Sequence, residues 1–88
     1  MNQMHFEGII TKADFHPMVE AAHSTMQLWI NYDVTEECFI EVEGSIDELS
    51  KKFEFKIISD SDWDISGMAG RHCKIVRDAS GYHFISYL

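Results

Sequence analysis

Five histidines, two cysteines and a short run of alternating carboxylates are the side chains of this 88-residue sequence best equipped to hold a metal or act as nucleophiles. In Asp60-Ser61-Asp62-Trp63-Asp64 three carboxylates alternate as in the first half of a calcium loop. Such a loop needs glycine at its sixth position for the sharp turn and a bidentate glutamate at its twelfth. Counting from Asp60, those places hold Ile65 and Arg71, so the stretch reads as a solvated acidic loop anchored by Trp63. Structural zinc sites take their ligands in close pairs. His72 and Cys73 are adjacent, which on a strand points them to opposite faces, and His16 and His23 are separated by an uncertain turn. No metal or other cofactor is expected. Cys73, flanked by Arg71 and Lys74, would need a histidine brought close by folding to become a nucleophile. On an alternating strand, cysteine usually behaves as a small buried hydrophobe. A Gly-x-Ser-x-Gly elbow, a phosphate loop and a dinucleotide fingerprint are all missing. So short a barrel also has little interior room for a ligand pocket. The chain is read as non-enzymatic.

The aromatic residues carry more information. Trp29, Phe39 and Trp63 fall opposite the apolar positions of their segments, and tryptophan and phenylalanine anchor protein interfaces disproportionately. Phe39 stands between Glu37 and Glu41. Gly67-Met68-Ala69-Gly70 is similar to the Gly-x-x-Gly loop of KH domains, but Met68 and Ala69 stand where that family carries basic residues. A plain turn accounts for it.

Charge is concentrated in one region. The formal net charge is −8, and residues 33–64 hold eleven acids against three lysines, which is the whole excess. Arg71, Lys74 and Arg77 lie close together beside His72. An acidic middle with a small basic C-terminal hairpin has the wrong sign for a nucleic-acid binder, whose affinity comes largely from phosphate neutralisation. It has the right sign for rapid encounter with a basic protein.

These residues must be positioned by strands and one helix. Residues 5–12 read as a strand carrying Phe6, Ile9 and Ile10, and Ala13-Asp14-Phe15-His16-Pro17 reads as its break. Residues 18–24 fit either a helical turn or a loop. Met26, Leu28, Ile30 and Tyr32 alternate with Thr25, Gln27, Trp29 and Asn31, and Cys38, Ile40 and Val42 alternate with Phe39, Glu41 and Glu43. Joined by the polar stretch 33–37, the two runs form a hairpin. Ser45 and Glu48 form a capping box, after which Ile46, Leu49 and Phe53 recur at helical spacing, predicting a helix near 46–53. Residues 53–59 return to period two, with Phe53, Phe55 and Ile57 on one face. Residues 59–70 read as a turn, and 72–77 with 82–87 as a second hairpin around Gly81. The order is β-β-β-α-β-β-β in a mainly β, α+β chain, either a small antiparallel sheet or a partly open barrel that resembles an OB-type arrangement in order.

At 45% apolar and 25% charged, residues 1–88 form one globular domain of marginal stability. No apolar run is long enough for a membrane span, and the first residues lack a secretory signal. A cytoplasmic protein with reduced thiols is expected. The expected function is a small acidic interaction protein, an inhibitor or adaptor docking on a basic protein surface, comparable in size and charge alone to immunity proteins and phage-encoded inhibitors. Glu36, Glu37, Glu41 and Glu43 would steer and pair, while Trp29, Phe39 and Trp63 supply apolar anchors. Two rivals stand beside it. One is an OB-type single-stranded nucleic-acid module using Arg71, Lys74, Arg77, Tyr82 and Phe84. The other is a self-associating subunit that forms homo-oligomers by setting basic hairpin against acidic middle.

Overall fold

The computed structural model describes residues 2–18, 23–59 and 61–88. Its order is β1 (Met4–His16), β2 (Ser24–Tyr32), β3 (Glu36–Gly44), α1 (Ile46–Phe53), β4 (Lys56–Ser59), β5 (Asp62–Asp64), β6 (His72–Asp78) and β7 (Gly81–Tyr87). Five strands make one antiparallel sheet in the order β3-β2-β1-β6-β7, curled into a half-barrel whose edge strands β3 and β7 approach one another. The expected β-β-β-α-β-β-β order holds, and the three-residue β5, pairing only with β4, is added to it. No helix among the described residues is long and apolar enough to cross a membrane.

Period two places the core. Met26, Leu28, Ile30 and Tyr32 of β2 are all buried, as are Cys38 and Ile40 of β3, while their alternates face outward. From β1, β6 and β7 come Ile10, Phe15, Cys73, Ile75 and Phe84. Helix α1 covers the hollow of the sheet. Ser45 accepts from the Glu48 amide at 3.1 Å and the Glu48 side chain accepts from the Ser45 amide at 3.2 Å, so the capping box forms as read. Leu49 and Phe53 go inward, the latter meeting Phe84 with ring centroids 4.8 Å apart. The Tyr87 hydroxyl donates to the Phe53 carbonyl at 2.8 Å, tying the helix end to β7.

Four local expectations need correction. β1 does not stop at Lys12. A bulge between Ile10 and Lys12 takes up Thr11, whose hydroxyl donates to the Trp29 carbonyl at 3.1 Å, and the strand then continues to His16, burying Phe15. Pro17 follows the last paired residue, so its missing amide proton costs the ladder nothing. β1 therefore serves two partners, β6 along Met4–Ile9 and β2 along Gly8–His16. The second correction concerns the first hairpin, whose turn shrinks to Asp33–Thr35 because β3 begins at Glu36. Third, Phe53 ends α1 rather than beginning a strand. Glu54 caps the helix in the left-handed conformation at φ 56°, and β4 starts at Lys56. Ile57, which by period two shares a face with the buried Phe55, is 42% exposed, since among the described residues β4 pairs only with β5. Fourth, the 59–70 turn contains β5. Of the ambiguous 18–24 stretch, Ser24 opens β2 and residues 19–22 lie outside the described residues.

Candidate protein-interaction face

The outward positions of β1, β2 and β3 line up in rungs. Lys12, Trp29 and Phe39 form one, Asp14, Gln27 and Glu41 the next, and His16, Thr25 and Glu43 a third. On the other side of the aromatic rung, Asn31 stands opposite Glu37. Strand alternation thus gathers Glu37, Phe39, Glu41 and Glu43 on one face beside Trp29. The Trp29 and Phe39 rings meet at 4.9 Å between centroids, tilted by 52°. The Lys12 ammonium lies 4.7 Å from the Trp29 ring centroid and 3.7 Å from an Asp14 carboxylate oxygen. Phe39, at the end of the rung, remains 45% exposed.

Glu41 is held in place. The Gln27 amide donates to Glu41 Oε2 at 3.1 Å, and its carbonyl Oε1 lies 2.9 Å from His16 Nε2. An amide oxygen only accepts, so His16 is the donor. This chain orients one carboxylate of the face, and sequence spacing does not display it because it crosses three strands.

Two of the expected partner-binding residues, one steering acid and one anchor, are elsewhere. Glu36 shares the parity of Cys38 and Ile40, which puts it on the inner rim near Tyr32 rather than among the outward glutamates. Trp63 sits on the β4–β5 hairpin and packs edge-on against Phe15, with centroids 5.1 Å apart, so it serves the core instead of the outer face. Of the acidic run, Asp60 lies outside the described residues.

The basic hairpin does not form a stacking platform. Phe84 is buried in the core. Tyr82 is hydrogen-bonded to the Tyr32 hydroxyl and receives a bond from Arg77 Nη1 at 3.3 Å. Arg71 lies over Tyr87, its guanidinium carbon 3.5 Å from the ring centroid, and reaches Glu54 at 3.2 Å. Lys74 stands opposite Glu7 in the β1–β6 ladder. Four of the five residues are therefore occupied within the fold, and the fifth, Lys74, has an acid beside it.

Burial pushes the Cys38 thiol up to about 11 and also raises that of Cys73, the reverse of what activates a nucleophile. Among the described residues no three histidine, cysteine, aspartate or glutamate side chains cluster as metal ligands. A trio absent from the sequence reading is Asp78, Ser80 and His83. Ser80 Oγ lies 2.8 Å and Asp78 Oδ1 3.1 Å from the same ring nitrogen, His83 Nε2. A hydrolytic triad uses opposite nitrogens for its two partners, so this trio organises the β6–β7 turn. An open surface cleft of about 600 Å3 lies between the first hairpin turn and the β1–β6 ladder, lined by His5, Phe6, Glu7, Asp33 and Lys74.

Comparison with protein-family models, with curated proteins and with solved structures found no match to this chain.

Proposed function

We propose that this protein binds a basic protein partner through the outer face of β2 and β3, as an inhibitor or adaptor. One observation carries the reading: an exposed aromatic residue, Phe39, sits on Trp29 with Glu37 and Glu41 on either side and Glu43 beyond. An apolar anchor ringed by charge of one sign combines desolvation at the centre with steering at the rim. The net charge of −8 extends the attraction beyond the contact itself. The nucleic-acid reading has less support, since Phe84 and Tyr82, its intended base-stacking residues, are engaged inside the fold.

The test is capture from native host lysate with the tagged wild type and with Glu41→Lys/Glu43→Lys. Both side chains are exposed, so the double variant should keep its stability within about 0.5 kcal/mol. A basic protein retained by the wild type at low salt, and lost both at high salt and with the variant, is the expected result. Equal capture by the two baits would overturn the reading. Bait oligomers that dissolve with salt would favour self-association instead.

A further inference from the structure

We propose that Phe39, with Glu37 and Glu41 beside it, is a seat for an arginine side chain of the basic partner. The inference rests on the acidic-face reading above and names the group that face selects.

The chain itself displays this chemistry twice. Lys12 lies over Trp29 with Asp14 as its carboxylate, and Arg71 lies over Tyr87 with Glu54 as its carboxylate. In both, a cation meets the negative face of a ring with a carboxylate close by, an ion pair at 3.7 Å for Lys12 and a hydrogen bond at 3.2 Å for Arg71. Phe39 has the same two ingredients, a half-exposed ring and flanking carboxylates on the same strand face, and among the described residues no cation of this chain lies over it.

Glu41 is prepared for the task. Gln27 holds Oε2 and His16 holds Gln27, so the carboxylate is oriented beside the ring before a partner arrives and its ordering cost is already met. Among the described residues Oε1 makes no hydrogen bond, which leaves it for an incoming donor. Arginine fits better than lysine because its planar guanidinium can lie on the ring and still present an edge to the carboxylate, whereas an ammonium is a compact, strongly hydrated point charge. A second copy of this chain is a poor occupant. Its two arginines are both engaged at home, Arg71 on Tyr87 and Arg77 with Tyr82 and Met4.

The test titrates two matched nonapeptides, one alternating arginine with serine and the other lysine with serine, into isotopically labelled protein at low salt. Amide shifts and the Trp29 indole signal report the site. The arginine peptide should bind at least about fivefold more tightly and move Trp29, Phe39 and Glu41 together. Phe39→Leu should remove that preference while keeping a folded spectrum, and Phe39→Tyr should retain it. Equal binding of the two peptides, or a preference that survives Phe39→Leu, would overturn the seat. If such unselective binding still disappears in Glu41→Lys/Glu43→Lys, the acidic face stands without it. Absence of binding by either peptide also overturns the seat, and the lysate capture then judges the face on its own.

Discussion

Gly8 passes directly beneath Ile30. A β-carbon at Gly8 would lie 2.6 Å from Ile30 Cγ2 and 2.8 Å from the Asn31 carbonyl oxygen. This close approach sits where β1 changes partners, since Gly8 and Ile9 pair with both β6 and β2. Backbone on one side and a fully buried side chain on the other leave an added methyl nowhere to go. Gly8→Ala should therefore cost about 1–3 kcal/mol through overpacking, read as a lower urea midpoint at unchanged slope. Full stability in that variant would mean that the sheet curls less tightly at this point than described.

The first hairpin turn carries strain that glycine would relieve. The Thr35 amide donates to the Asp33 carbonyl at 2.6 Å, a γ-turn centred on Val34 at φ 63°, with Asp33 also positive at 50°. A β-branched residue there is strained by about 1–3 kcal/mol, against roughly 0.5–1 kcal/mol of extra chain entropy for glycine. Val34 is 99% exposed and has no packing to lose. Val34→Gly should raise the melting temperature by a few degrees. A lower value would show that the side chain stabilises the turn.

Ser45→Ala should lower stability by about 1 kcal/mol, the usual effect of losing a side-chain cap. The bond from the Glu48 amide to the Ser45 hydroxyl is lost, while the residue-45 amide can still donate to the Glu48 side chain, and α1 brings Leu49 and Phe53 into the core. The loss should consequently appear as a shift of the whole cooperative transition in chemical denaturation. A separate fraying of the helix with the main transition unmoved would contradict that coupling.

Stability should fall on the alkaline side. The hydrogen bond with Tyr82, followed by burial, pushes Tyr32 from its ordinary 10.0 to about 12, and burial does the same to Tyr87. Burial takes Cys38 from 9.0 to about 11. Each group is more readily ionised in the unfolded chain, so its contribution is whole below the ordinary value and is lost as pH rises from about 9 toward 12. Melting temperatures should hold steady from pH 7 to about 9 and then drop. Tyr32→Phe should be less stable at pH 7 and show a shallower alkaline decline. An unchanged decline in that variant would assign the effect to other groups.

Much of the fold was readable from short-range pattern. Met26 to Tyr32 and Cys38 to Val42 show their buried sides by period two, and Ser45 with Glu48 marks the helix start through bonds that span one turn. The outward placement of Phe39, Glu37 and Glu41 follows from the same alternation. Partner choice was not readable. Trp63 obeys a local pattern similar to that of Trp29, but it is carried on a hairpin outside the main sheet and ends against Phe15. Phe84 has an alternation that fits a surface stacker as well as a core residue, and in the fold it lies buried against Phe53 of α1.

By itself, then, the sequence determined which residues are strand or helix over most of the chain, where the acidic excess lies and which side chains share a strand face, because those properties depend on neighbours within a few bonds or one helical turn. The tertiary structure decided the rest. It bent β1 at Thr11 to serve two partners, set Lys12 over Trp29 and Trp29 against Phe39, and carried the bonds from His16 through Gln27 to Glu41. Each of these joins residues on different strands, and register between strands is fixed by packing of the whole sheet and not by any one segment.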